Sequence, residues 1–289
     1  MNTVITEKAY AKLNISLDVS RPRPDGYHDM KMIMQSVSLC DDITISLKDS
    51  PEISAECNLK YIPGNEKNLA VKAARLYFEA AGIRSGALID IHKNIPVGAG
   101  MAGGSTDAAA VLRALERRFG NPLGKERLLE LAAAAGSDVP FCLIGGTALA
   151  EGRGEILTPL APLPDCWFAI CKPVFSVSTP ELFAALDKVR LRMHPDTDGI
   201  INALNEGNLR QICMRMYNVF ESVPDRRMKD IAEIKSRMID AGALGTAMTG
   251  TGSAVFGVFT EKEKAEALCP ALQNEYGFCR TAQPTGPMA

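Results

Sequence analysis

Histidine, tryptophan and long apolar runs are what this chain has least of, and each scarcity excludes something. Three histidines and one tryptophan among 289 residues leave no histidine-rich metal site to build. No apolar run approaches the roughly 20 residues of a membrane span. No basic-then-apolar leader opens the sequence, and a strand-like pattern starts near residue 8, so little room for a cleaved leader is expected. Neither sign of charge dominates: 32 Lys+Arg against 34 Asp+Glu gives a net charge of −2. That balance provides no electrostatic pull toward nucleic acid or an anionic membrane surface. The eight cysteines, at 40, 57, 142, 166, 171, 213, 269 and 279, contain no Cys-x-x-Cys pair. Most sit beside apolar residues, as Cys142 does in Pro140-Phe141-Cys142-Leu143-Ile144. This usage predicts reduced, mostly buried thiols and a cytoplasmic setting rather than disulfides or zinc ligands. Nothing in the pattern gives His92 or His194 a role.

What the chain does have is ample apolar material, 46% hydrophobic residues, enough for one large domain or two modest ones. Residues 9–19 alternate, with Ala11, Leu13, Ile15, Leu17 and Val19 on one face and Tyr10, Lys12, Asn14, Ser16 and Asp18 on the other. This is the period of a half-buried strand. The run Arg21-Pro22-Arg23-Pro24-Asp25-Gly26 reads as a loop leading to Tyr27-His28. Segments 30–40 and 42–48 read as strands with a turn at Asp41-Asp42 between them. Helices are expected over 69–81, closed by Gly82, and over about 125–135, closed by Gly136. Residues 88–95 read as a strand, and 141–150 as an apolar segment broken by Gly145-Gly146. Three prolines within Thr158–Pro164 mark the expected junction between residues 1–157 and 158–289. Beyond it come a strand at 166–171, a helix opening at Ser178-Thr179-Pro180-Glu181 and a helical stretch near 208–220. A helix at about 226–241, a strand at 254–259, a helix at 261–272 and a short strand at 278–282 follow. The order of elements is mixed α+β in two halves.

The most informative stretch is Pro96-Val97-Gly98-Ala99-Gly100-Met101-Ala102-Gly103-Gly104-Ser105-Thr106-Asp107. Glycines let a backbone approach a ligand closely, and successive N–H groups aimed one way make an anion-binding concavity. After it, Ala108, Val111, Leu112, Leu115 and Phe119 recur at helical spacing, with Ser105 or Thr106 placed to cap the helix. Its positive dipole end adds to the concavity. A P-loop is excluded because no lysine follows the glycines. The dinucleotide fingerprint Gly-x-Gly-x-x-Gly is met literally by Gly98, Gly100 and Gly103. It lacks the acidic residue ending a second strand, since Glu116 and Glu126 both fall in helical patterns.

The loop instead resembles the phosphate loop of the GHMP kinases. Ala9-Tyr10-Ala11-Lys12-Leu13-Asn14, Arg23-Pro24-Asp25-Gly26-Tyr27-His28, Gly136-Ser137-Asp138-Val139-Pro140-Phe141 and Gly250-Thr251-Gly252-Ser253-Ala254-Val255-Phe256 extend the likeness. They are collinear over residues 9–256. They point to the branch of that family whose acceptor is a cytidine-diphosphate-linked methylerythritol of the non-mevalonate isoprenoid route. The loop departs from some members: Ala102 carries a methyl where glycine is found, and Asp107 stands where asparagine is found. Asp107 would repel phosphate unless a cation intervenes.

The resemblance implies a two-domain fold, an N-terminal ribosomal protein S5 domain 2-like unit binding ATP and a C-terminal ferredoxin-like substrate unit. It implies ATP and Mg²⁺, with the metal ligands left open, and a monomer or weak homodimer. ATP contacts are expected from Pro96, Gly98, Gly100, Met101, Ala102, Gly103, Gly104, Ser105 and Thr106, with Asn68 and Lys93 flanking the adenosine. Asp138 is implied as catalytic base; from the residues alone a helix N-cap is the favoured reading, and the resemblance reverses it. Lys12 is implied as its partner, against the plain alternative of a solvated strand face. Asn14 shares the Lys12 face, and Tyr27, His28, Thr179, Phe183, Gly250, Thr251 and Gly252 are implied around the substrate. Phe183 also fits a core-facing helix position. A kinase for another alcohol, such as mevalonate or homoserine, would need no cytidine pocket. A non-catalytic nucleotide-binding relative would need neither Lys12 nor Asp138.

Overall fold

The computed structural model describes residues 4–23 and 26–288, with Arg21 described in its backbone alone. Pro24 and Asp25, assigned to the loop before Tyr27, lie outside the described residues. The first half runs β1 (Val4–Pro22), β2 (His28–Lys48), β3 (Ile53–Cys57), α1 (Leu69–Ala81) and β4 (Gly86–His92). It continues through α2 (Gly103–Arg118), α3 (Gly124–Ala135), α4 (Val139–Ile144), β5 (Thr147–Gly152) and β6 (Ile156–Pro159). The second half opens with β7 (Trp167–Lys172), α5 (Thr179–Leu186), α6 (Thr197–Asn205), α7 (Leu209–Arg215) and β8 (Tyr217–Asn218). It closes with α8 (Met228–Asp240), β9 (Gly245–Met248), β10 (Val255–Phe259), α9 (Lys262–Tyr276) and β11 (Phe278–Ala282).

A first sheet is ordered β3-β4-β2-β1-β8, with β5 pairing β2 and β6. A second sheet is ordered β11-β7-β10-β9, antiparallel throughout. Its two faces separate by the two-residue strand period. Ala169, Cys171, Val255 and Phe259 join the core under α8 and α9, whereas Phe168, Ile170, Phe256 and Val258 face the first sheet. There they meet Leu13, Ile15, Ile33 and Val37, together with Ile200 and Ala203 of α6. The two sheets therefore share a core.

That shared core corrects the expectation for β1. Lys12, Asn14 and Ser16 are buried, not solvated, because helices cover one side of the strand and the second sheet covers the other. Register shifts lie between Tyr10 and Lys12 and between Asn14 and Ser16, and bulges of this kind re-aim side chains. Ala11, Leu13 and Ile15 consequently enter the inter-sheet core while Ala9, Leu17 and Val19 enter the helix-side core. The expected turn at Asp41-Asp42 is also absent. β2 runs unbroken through both residues, and Asp41 is fully buried.

Two connections tie the halves together. β8 leaves the second half to pair in parallel with β1 at Ser16 and Leu17. Asn218 on β8 accepts from the Phe220 N–H at 3.0 Å and donates to the carbonyls of Met248 (2.7 Å) and Gly250 (2.8 Å). The chain after β11 returns to the first half through bridges Val37–Pro284 and Gly145–Pro287. Replacing Asn218 by Ala would leave one buried N–H and two buried carbonyls unpaired. The expected cost is about 3 kcal/mol of stability, read as a lowered urea midpoint; a change under about 0.5 kcal/mol would contradict this account.

Candidate active site

β4 ends at His92 and α2 begins at Gly103, leaving the glycine run as the connection between them. Gly98 and Gly100 take φ of 64° and 73°, the left-handed region that glycine enters freely. A Cβ on Gly100 would meet the Thr249 carbonyl oxygen at 2.1 Å, and one on Gly250 would meet the Gly100 carbonyl oxygen at 2.8 Å. The two glycine loops thus pack backbone against backbone. The Ala254 N–H donates to the Ala99 carbonyl at 3.2 Å and the Thr249 hydroxyl sits 3.1 Å from the Gly100 carbonyl.

Above the first loop lies a cavity of about 370 Å³, lined by Pro96 through Ser105 together with Asn68, Lys93 and Asp107. The expected hydroxyl cap of α2 is not formed. The helix begins at Gly103, two residues before Ser105, and Thr106 instead donates its hydroxyl to the Gly103 carbonyl at 2.8 Å. Ala102 occupies the cap position with φ 59° and no side-chain bond, so the first-turn N–H groups remain available to an anion. Left-handed backbone at a residue bearing a Cβ costs roughly 1–2 kcal/mol. Met101 turns its side chain into the inter-sheet core, leaving only its backbone at the cavity. Asn68 proves to be the N-cap of α1, accepting from Ala70 N at 3.0 Å and donating to the Pro63 carbonyl at 2.9 Å.

The cation that Asp107 requires is Lys93. Its buried ammonium lies 2.8 Å from the Asp107 carboxylate and is also bonded to Asp41. Asp41 further accepts from the N–H groups of Asn94 (2.6 Å) and Ile95 (2.7 Å), pinning the loop's entrance. The other Asp107 oxygen is buried without a partner. Burial pushes the Asp107 carboxyl up to about 7, with Lys93 opposing and Asp41 reinforcing the rise. Burial works against the Lys93 charge, but Asp107 and Asp41 outweigh it and raise its pKa. The proton therefore stays on Lys93, and Asp107 is the group that titrates.

Lys12 is 4% exposed, which removes the solvated-face alternative. Its ammonium donates to Asn14 Oδ1 at 2.5 Å, and its backbone N–H donates to the Met101 carbonyl at 3.3 Å. Burial lowers its pKa, opposed chiefly by the charge of Asp138. Asp138 sits immediately before α4 and its side chain caps nothing. Asn14 Oδ1 also accepts from Gly250 N at 2.9 Å, and Asn14 N donates to the Thr249 hydroxyl at 3.1 Å. One asparagine so joins the lysine to the second glycine loop.

On the far side, His28 lies 2.7 Å from the Asp187 carboxylate and packs against Phe183 at 5.0 Å between ring centroids. Phe183 in turn meets Phe220 edge-on at 4.9 Å, so it bridges the core and the cleft rather than choosing one. Tyr27 is half exposed and carries the Arg153 guanidinium over its ring at 3.7 Å. The hydroxyls of Thr179 and Thr251 are 3.0 Å apart, while Gly252 packs on the Met248 side chain. Sequence reasoning missed Asp41, Arg153, Asp187 and Asn218. Only Asp41 carried a signal, as an acid in the middle of an apolar alternation.

Residues 68–146 match the model of the GHMP kinases N terminal domain, and residues 171–277 that of the GHMP kinases C terminal. A 4-diphosphocytidyl-2-C-methyl-D-erythritol kinase of Clostridium botulinum (strain Eklund 17B / Type B) is 45% identical over 269 residues, 93% of this chain and 96% of that one. One from Clostridium kluyveri is 43% identical over the same shares. A crystal structure of a 4-(cytidine 5'-diphospho)-2C-methyl-D-erythritol kinase superposes with a TM-score of 0.82 at 34% identity, covering 97% of this chain and 99% of the other. Homoserine kinase from Cytophaga hutchinsonii, at 21% identity and a TM-score of 0.77 over 99% and 96% of the chains, shares the fold alone.

The Asp107 carboxyl makes stability depend on pH. Its folded pKa, about 7, exceeds the ordinary carboxylate value of 3.8, so the folded state holds a proton that the unfolded chain releases. The stabilisation is complete below about pH 4 and is lost as pH rises toward 7. Asp107→Asn removes the dependence. Relative to the wild type, the variant is expected to gain on the order of 2 kcal/mol between about pH 5 and about pH 8. Urea unfolding of both proteins at the two pH values reads the difference directly, and parallel pH profiles would refute it.

Proposed function

The chain belongs to the GHMP kinases, in the 4-diphosphocytidyl-2-C-methyl-D-erythritol kinase family, and from that membership we propose its reaction. It transfers the terminal phosphoryl group of ATP to the 2-hydroxyl of 4-diphosphocytidyl-2-C-methyl-D-erythritol, giving the 2-phosphate and ADP. The observation that carries this reading is the buried Lys12, whose backbone N–H ties its strand to the Met101 carbonyl of the glycine loop and whose ammonium is coupled in charge to Asp138.

Phosphoryl transfer asks the protein for position and charge rather than covalent help. The open first turn of α2 and the glycines at 98, 100, 103 and 104 suit the nucleotide's phosphates. Asn68 and Lys93 stand at the edge of the same cavity. Mg²⁺ arriving with the nucleotide would neutralise phosphate charge, and the Ser105 hydroxyl on the cavity wall fits such a pair. Asp138 takes the proton of the acceptor hydroxyl as the new O–P bond forms. Lys12 supplies positive charge at the oxygen where negative charge develops. Asn14 holds that ammonium and, through Thr249 and Gly250, fixes it against the second loop.

The cytidine base fits the aromatic side of the cleft, where His28 and Phe183 offer ring faces and Tyr27 stands beside them. Thr179 and Thr251 lie where the substrate's diphosphate would pass between the halves. Residues 1–157 carry the nucleotide side and 158–289 the substrate side, although β8 and residues 283–288 return to the first sheet. No helix among the described residues is long and apolar enough to cross a membrane. The proposed enzyme is cytoplasmic, in line with its eight unpaired cysteines, and a monomer or weak homodimer.

Asp138→Asn is expected to lower kcat by about 10²–10⁴ with ATP affinity within a few-fold of the wild type. Near-normal turnover would reject the base assignment. Lys12→Ala should reduce kcat far more than it raises KM; an effect on KM alone would contradict its role. Substrate class is checked by ADP release with the cytidyl substrate set against mevalonate and homoserine. Selective turnover of the first is expected, and equal turnover of either alcohol would overturn the acceptor assignment.

A further inference from the structure

Three of the eight cysteines converge between the β11–β7 edge of the second sheet and α9. Cys171 on β7 and Cys279 on β11 are directly opposed in the antiparallel ladder, and both are fully buried. Cys269 on α9 lies over them, with its sulfur 3.1 Å from that of Cys279. It is partly exposed, unlike its two neighbours. We propose that Cys269 and Cys279 form a hydroperoxide-reactive dithiol that closes reversibly to an intramolecular disulfide.

The geometry asks little of the backbone. An S–S bond is about 2.05 Å long, so the sulfurs must approach by roughly 1 Å. Pro270 stands within α9 immediately after Cys269, and proline removes one of the helix's i→i−4 hydrogen bonds. The turn bearing Cys269 is therefore less tightly held than its neighbours. The Cys279 thiol donates toward the Cys269 sulfur, and with Arg280 nearby this lowers the Cys269 pKa against the effects of burial and Glu266. Cys40, also partly exposed, is shifted the other way by burial. Reactivity follows the thiolate and its access, which selects Cys269 as the attacking sulfur and Cys279 as the resolving one.

The steps balance with a hydroperoxide as the oxidant. The Cys269 thiolate attacks one peroxide oxygen, the O–O bond breaks, and the leaving oxygen departs protonated as water or an alcohol. The resulting sulfenic acid is attacked by the Cys279 sulfur. The S–O bond breaks and water leaves with the Cys279 proton. The sulfur pair has then lost two electrons to the peroxide. A dithiol reductant reverses the change by thiol–disulfide exchange.

Fully reduced protein treated with a small excess of hydrogen peroxide should lose the mass of two hydrogens. Peptide mapping should place the new link between Cys269 and Cys279, and dithiothreitol should remove it. Cys269 is expected to react about tenfold faster than Cys40. Cys269→Ser should abolish the mass loss, whereas Cys171→Ser should retain it. A link between Cys171 and Cys279, persistence of the mass loss in Cys269→Ser, or oxidation of Cys269 to the sulfinic acid without pairing would each overturn the proposal.

Discussion

The contact on which the rest depends is the meeting of two backbones, the Gly98–Gly104 run from the first half and the Thr249–Ser253 run from the second. No side chain intervenes at Gly100 or Gly250, because a Cβ at either would overlap the opposite carbonyl. Backbone groups brought this close need their own partners, since an unpaired buried polar group costs about 1–3 kcal/mol. Asn14, Thr249 and Asn218 supply them. Asn14 comes from the first sheet and Asn218 from the strand that crosses into it. The two halves are thus registered by hydrogen bonds at the point where the proposed reacting groups gather, not at a distant interface.

Charge is arranged around that contact in two buried sets. Lys93 is shared by Asp41 and Asp107 beside the first glycine loop, and Lys12 is paired in charge with Asp138. A buried lysine beside a single carboxylate offsets its desolvation only in part, consistent with the lowered pKa of Lys12. Lys93 has two carboxylates and is shifted the opposite way. The same residue type therefore does different work at the two positions. Lys93 is paired with two carboxylates of the scaffold, whereas Lys12 is held by the neutral amide of Asn14.

Most regular elements were legible in the sequence where local signals were strong. α1 begins and ends where its pattern and Gly82 place it, and β11 spans residues 278–282 as expected. The glycine run, Lys12 and Asp138 were legible as a set because their spacing repeats a known family's motifs. What could not be read depended on tertiary cover. The polar face of β1 resembles a solvated face until the second sheet is placed over it. Asp41-Asp42 has the composition of a turn, and only the loop amides of Asn94 and Ile95 explain a buried aspartate in mid-strand. Ser105 and Thr106 look like caps because the local rule ignores a helix that starts two residues earlier. The partners of Tyr27 and His28, Arg153 and Asp187, are more than 100 residues away in sequence and carried no local signal.

The departures from local preference cluster rather than scatter. α2 starts without a side-chain cap, Ala102 is held in left-handed backbone, an Asp107 oxygen lacks a partner, and Lys12 is desolvated. Each would be expected to destabilise an ordinary loop, and all of them lie along the first glycine loop, the start of α2 or the strand beside it. Strain retained in one place persists when the surroundings over-determine it, and here the inter-sheet core and the Asn14–Asn218 network do so. An anion at the first turn of α2 would satisfy the uncapped N–H groups and bring negative charge toward Lys12. Binding then stabilises the folded state by mass action, using groups the empty loop leaves unsatisfied. Ala102 belongs to the same logic: its backbone cost opens the helix start, and a side chain able to cap α2 would close it.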